Sequence, residues 1–195
     1  RLIVNKESFL YKSGWVESIL QNKPVNSAGR FIPWFNYSFF EFLEPRIPKS
    51  GIVFEYGLGY STVYLKSKVD KVFSLDHDVD WIDKIGLILN DKTNIIFNED
   101  IDGKGYAHSI SIPECKFDLV FVDGRDRVYC CKYAVNYLSD QGVVILDDSQ
   151  RDRYQEIFSY MNLRGFRELT ITSFKPYMNK LASTTIFYKP SNCLG

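Results

Sequence analysis

Val53-Phe54-Glu55-Tyr56-Gly57-Leu58-Gly59-Tyr60-Ser61-Thr62 is the stretch whose reading decides the fold, because it joins a short apolar strand to a helix through an acid and two glycines. Glycines there let the chain bend sharply and let a ligand approach backbone where a Cβ would collide. Moving outward, Lys71–Asp76 reads as a second buried strand ending in an acid, roughly 20 residues past Gly57, where a carboxylate can accept ribose hydroxyls. Residues 93–98 read as a third strand, a β-branched and aromatic run bounded by polar residues and followed by Glu99 and Asp100. Phe117–Val122 and residues 142–146 complete the set. Asp123 follows the first of these, and Asp147 and Asp148 follow the second. Apolar runs of this length suggest strands buried on both faces. Helical spacing fills the gaps: Trp81, Ile85, Ile88 and Leu89 share one face, Val128, Cys131, Val135 and Leu138 a second, and Tyr154, Ile157, Phe158 and Met161 a third. The alternation predicts an α/β fold with a parallel sheet, right-handed crossovers and a ligand crevice at the carboxyl ends of the strands.

Glu55 biases the choice of ligand. A carboxylate just ahead of the loop repels a pyrophosphate cofactor and attracts S-adenosylmethionine (SAM), which carries a sulfonium and an ammonium. The order Glu55-x-Gly57-x-Gly59, then Asp76, Asp100 and Asp123, resembles the Rossmann-like (class I) SAM-dependent methyltransferases over roughly residues 50–150. Residues 165–174 and 183–188 look like the antiparallel pair that closes the sheet in that class. The resemblance implies a three-layer sandwich around a mostly parallel, seven-stranded sheet, with a bound methyl donor. On that likeness Glu55, Gly57 and Gly59 line the methionine part, Asp76 the ribose and Asp100 the adenine edge, while His77 and Ile101 flank the ring. Ser61 and Thr62 complete the loop, Ser61 standing where a third glycine is usual, as in short members reading Gly-x-Ser-Thr. Asp123 borders the donor as well.

A chain of 195 residues with 45% hydrophobic content suits one domain with an adequate core. The expected division is an N-terminal helical extension over 1–48, packed on a SAM-dependent methyltransferase domain over 49–195. In the extension, Trp15, Val16, Ile19 and Leu20 suggest one short amphipathic helix and Pro33 opens another over 34–42. Lys and Arg equal Asp and Glu at 24 each, with no basic block to track a phosphate backbone, which argues against a nucleic-acid partner. No apolar run is long enough to span a membrane and no signal peptide is evident, so a cytoplasmic protein is expected. The four cysteines lack metal-ligand spacing and read as free thiols. The first residue is Arg1, as expected of a piece of a longer protein with further domains.

Methyl transfer from a sulfonium is an in-line displacement, and an alcohol acceptor needs a base or a metal to take its proton. Asp123, Asp147 and Asp148 are the candidate catalytic residues, with His108, in the 103–111 loop, as an alternative base. The same three acids resemble the ligands of metal-dependent catechol-type O-methyltransferases and imply a divalent cation, Mg²⁺, Mn²⁺ or Ca²⁺. Two departures count against catechol chemistry: the second acid of the pair is Asp148 and not an asparagine, and the run Arg125-Asp126-Arg127 stands where that family has a lysine. Val122-Asp123-Gly124-Arg125 with Leu146-Asp147-Asp148-Ser149-x-Arg151 looks like short methyltransferases of glycan and polysaccharide assembly, so a sugar hydroxyl is the expected acceptor, with small phenols or a non-catalytic SAM-binding module as alternatives.

Overall fold

The computed structural model describes residues 5–91, 94–100 and 104–195. Three short helices lead the chain: α1 (Phe9–Lys12), α2 (Trp15–Gln21) and α3 (Tyr37–Leu43). Strands and helices then alternate through β1 (Ile52–Tyr56), α4 (Tyr60–Leu65), β2 (Lys71–Asp76), α5 (Val79–Leu89), β3 (Ile95–Phe97), α6 (Lys104–His108), β4 (Phe117–Val122), α7 (Arg127–Ala134), β5 (Leu138–Asp147) and α8 (Gln155–Leu163). An antiparallel pair, β6 (Arg167–Phe174) and β7 (Leu181–Tyr188), ends the chain.

All seven strands form one sheet in the order β3-β2-β1-β4-β5-β7-β6. β1 to β5 run parallel, and β7 pairs antiparallel with β5. The order reverses between β1 and β4, and a reversal of this kind leaves a crevice beyond the carboxyl ends of the strands. Period-two alternation sorts the strand residues onto two faces. Phe54, paired with Phe73 and Val120, buries one face under Tyr106, Cys130, Cys131, Ile157 and Met161 of α6, α7 and α8. Val53, Leu119, Phe121 and Ile145 bury the other face under Phe39 and Leu43 of α3 and Tyr64 and Leu65 of α4. Each fully buried Phe or Leu of this kind contributes about 1.5–3 kcal/mol. Among the described residues no helix is long and apolar enough to cross a membrane.

Several sequence expectations shift. The helix expected through Leu138 stops at Ala134, and Leu138 already pairs with Phe117 as the start of β5. α3 begins at Tyr37 and not at residue 34, because Asn36 caps it by accepting from the Phe39 amide at 2.9 Å. The same Asn36 donates to Ile171 O and to Thr184 Oγ1, tying the helix to β6 and β7. In α2 the buried position is Ser18, while Ile19 and Leu20 are exposed, so its apolar stripe does not face the core as expected. Tyr154 belongs to a 3₁₀ turn ahead of α8.

Candidate active site

A cleft of about 580 Å³ opens beyond β1, β2 and β4 and is lined by Gly57, Gly59, Asp76, His77, Asp123 and Lys175, among others. At its floor the β1–α4 loop crosses between two strands. Gly57 N donates to Leu75 O at 2.8 Å, and Asp123 N donates to Tyr56 O at 2.9 Å. Gly57 has φ +103°, and a Cβ there would lie 2.9 Å from the Asp123–Gly124 backbone, so the position requires glycine. Gly59 does not: its φ is −172°, ordinary extended backbone, and a Cβ would touch only Ser61 Oγ at 3.7 Å. What its missing side chain provides is open cleft.

Glu55 lies elsewhere than the sequence argument needed. Alternation along β1 sets it on the face of Val53, under α4, where it is fully buried and outside the cleft lining. Its oxygens accept from the hydroxyls of Ser61, Thr62 and Ser74, and Thr62 Oγ1 in turn accepts from the Gly59 amide at 3.0 Å. Burial pushes its pKa up to about 7 against the pull of those three hydroxyls, so at neutral pH it is a weak source of negative charge. The acids that do face the cleft are Asp76, Asp123 and Asp148.

Asp76 ends β2 with Oδ1 accepting from the amides of His77 and Asp78 at 2.7 and 3.1 Å. His77 Nδ1 lies 3.1 Å from the same oxygen while its Nε2 accepts from Arg125 Nε at 3.2 Å, an arrangement that needs the ring proton on Nδ1. Asp100 is exposed and outside the cleft lining, its carboxylate lying over Gly105 at the start of α6. Ile101 is outside the described residues. His108 belongs to α6 and not to a loop; it is exposed, packs on the Tyr133 ring with centroids 4.0 Å apart, and does not line the cleft. The structure therefore does not bring it to the strand-end acids.

Those acids are held by three cations, Arg127, Lys175 and Arg151. Arg127, at the start of α7, places Nη2 2.8 Å from Asp123 Oδ1 and donates to the carbonyls of Gly124, Asp123 and Asp147, so it clamps β4 to β5. Lys175, just beyond β6, donates to Asp147 Oδ2 and, at 2.8 Å, to Asp148 Oδ1. Thr184 Oγ1 donates to the other Asp147 oxygen at 2.7 Å, and Arg151 to the other Asp148 oxygen. Asp147 is buried and does not line the cleft; Asp148 does. Burial and then Asp147 raise the Asp123 carboxyl to about 7, although Arg127 and Lys175 pull the other way. Burial also opposes the charge on Asp148, but Lys175 and Arg127 hold its pKa below the usual carboxylate range. Lys175 stays charged because Asp147, Asp123 and Asp148 outweigh its own desolvation.

Lys175 and Arg127 escaped the sequence reading. In the sequence Arg127 stands out only as part of a charged run, and Lys175 stands 28 residues from Asp147 in a Pro-containing connection. With both cations in place the three acids do not fit a divalent ion: Asp147 Oδ2 and Asp148 Oδ1 already converge on the Lys175 ammonium, and Asp123 Oδ1 faces the Arg127 guanidinium. Among the described residues no group of three or more His, Cys, Asp or Glu is arranged to hold a metal.

The far wall of the cleft comes from the N-terminal segment and the β6–β7 connection. Trp34, 41% exposed, stacks on Tyr177 with centroids 5.1 Å apart, and its indole donates to Pro176 O at 3.2 Å. Trp15 Nε1 donates to Met178 O at 2.9 Å.

This architecture, a parallel α/β sheet closed by an antiparallel pair, is that of the Rossmann-like SAM-dependent methyltransferases. Among solved structures it is similar to the O-methyltransferase TomG from Streptomyces achromogenes in complex with SAM (15% identity, 76% of this chain and 77% of that chain, TM-score 0.58). An rRNA methylase from Streptococcus thermophilus is similar too (14% identity, 78% and 95%, TM-score 0.59), as is the N-methyltransferase NodS from Bradyrhizobium japonicum (11% identity, 77% and 93%, TM-score 0.54). No family model matches the sequence, and no curated protein matches it.

Proposed function

We propose that the cleft binds S-adenosylmethionine and that the protein, acting in the cytoplasm, transfers its methyl group to a hydroxyl of a sugar in a glycan or polysaccharide. The observation that carries this reading is Asp123: a cleft-facing carboxylate held by Arg127 at 2.8 Å, beside the Gly57 turn that has no room for a Cβ, with burial and Asp147 raising its pKa. A base of that strength is matched to taking a proton at neutral pH. On this reading Gly57, Gly59 and Ser61 would make room for the donor, Asp76 would accept from its ribose hydroxyls, and the donor would supply an electrophilic methyl group. The acceptor enters from the side of Trp34, Tyr177 and Gln150, which line the same cleft. With the donor bound, Asp123 would take the proton of the acceptor hydroxyl as its oxygen accepts the methyl group, and the C–S bonding pair would stay on the sulfur of S-adenosylhomocysteine, the product that leaves. Positioning of oxygen, carbon and sulfur supplies most of the acceleration. Arg127 holds the Asp123 carboxylate in place, while Asp147 acts one step back by orienting Lys175.

The stacked Trp34–Tyr177 pair supports a sugar, whose apolar ring face packs well on an aromatic plate. Turnover with labelled donor, screened over sugar hydroxyls and small phenols, tests the proposal. Methylation of a sugar, lost by about 100-fold or more in Asp123→Asn and rising in the wild type as pH passes about 7, is the expected result. Donor binding without turnover on any acceptor would leave a non-catalytic SAM-binding module, and a phenol preference would replace the sugar.

A further inference from the structure

The site has a cation of its own between its strand-end acids. Lys175 is nearly buried, with 9% of its side chain exposed, and its Nζ bonds both Asp147 and Asp148. The backbone just after it is tied to the N-terminal segment. Pro176 follows it, and the indoles of Trp34 and Trp15 bond the carbonyls of Pro176 and Met178. Arg127 and Arg151 engage other oxygens of the cluster, so among the described residues the cation on which Asp147 Oδ2 and Asp148 Oδ1 converge is Lys175. A hard divalent ion needs such converging carboxylate oxygens for itself. Here it would have to displace an ammonium already paired with both carboxylates, which costs those charge-assisted bonds.

We infer that Lys175 is a built-in counter-ion that takes the position a divalent metal would need between Asp147 and Asp148: the native site excludes such ions, and removing the lysine opens a metal site. The two carboxylate oxygens are already aimed at one point, and the loss of one positive charge leaves them uncompensated. The inference rests on the geometry of the acids and not on the identity of the methyl donor. Its test accordingly reads metal binding and not turnover.

Mn²⁺ is titrated into the full chain and into Lys175→Ala, with binding followed by calorimetry and by loss of the free Mn²⁺ paramagnetic signal. The wild type and Lys175→Arg, which keeps the charge, are expected to show no saturable binding at millimolar Mn²⁺. Lys175→Ala is expected to take up one ion at least about tenfold more tightly, and adding Asp147→Asn should abolish that uptake. Lys175→Met, which keeps much of the stem, is read in the same way if the alanine variant is unstable. Saturable Mn²⁺ binding by the wild type that vanishes in Asp147→Asn would overturn the inference, as would folded Lys175 variants binding no more tightly than the wild type.

Discussion

At the level of single residues, the two loop glycines do different work. Gly57 has a backbone that only glycine adopts freely and no space for a Cβ, so Gly57→Ala should cost about 2 kcal/mol or more in chemical denaturation. Gly59→Ala should stay within about 1 kcal/mol of the wild type yet weaken donor binding, because its methyl enters the cleft. Glu55 shows how a strand-end acid can be read at the right position and in the wrong direction. Its place at the loop is plain from the sequence, but its side chain follows the alternation of β1 and turns beneath α4, away from the ligand side. With a folded pKa of about 7 against an ordinary 4.5, it binds its proton more tightly in the folded state. Its contribution to stability is therefore full at low pH and is lost as pH rises from about 4.5 through about 7, by up to about 3 kcal/mol. Thermal melting from pH 5 to 8 should slope downward in the wild type, and Glu55→Gln should flatten that slope. An unchanged slope would mean that other groups set it.

At the level of elements, legibility followed burial. β1, β2 and β4 were readable because strands buried on both faces are written as unbroken apolar runs. The first half of β5 was not, since Ser139, Asp140 and Gln141 are polar and only Leu138 pairs there with β4. His108 reads as a loop residue in the sequence because the five residues of α6 are too few to show a helical period. Lys175 went unread for a different reason: its role exists only after β6 and β7 fold back beside β5, and no local pattern marks it. The antiparallel pair thus supplies a charge to the site as well as closing the sheet. Asn36 is the joint between that pair and the N-terminal segment, capping α3 while bonding Ile171 and Thr184. Asn36→Ala leaves all three partners short of a bond in a buried place and should cost about 2–3 kcal/mol in equilibrium unfolding. A loss below about 0.5 kcal/mol would show that α3 docks through its apolar face alone.

For the whole molecule, topology and charge act together. The reversal of strand order between β1 and β4 opens the crevice, and the acids that follow β2, β4 and β5 give it Asp76, Asp123 and Asp148. Asp76 beside the glycine loop has no Lys or Arg paired with it among the described residues, whereas Arg127 offsets Asp123 and Lys175 offsets Asp147 and Asp148. That gradient suits a cationic nucleoside at the loop and a neutral hydroxyl beyond it. The central claim is that this crevice holds the methyl donor, and calorimetric titration with S-adenosylhomocysteine tests it most directly. The account predicts one binding site per chain with micromolar affinity, weakened about tenfold or more by Asp76→Ala and left nearly intact by Asp147→Ala. Absence of binding, or binding indifferent to Asp76 and to Gly59→Ala, would contradict it.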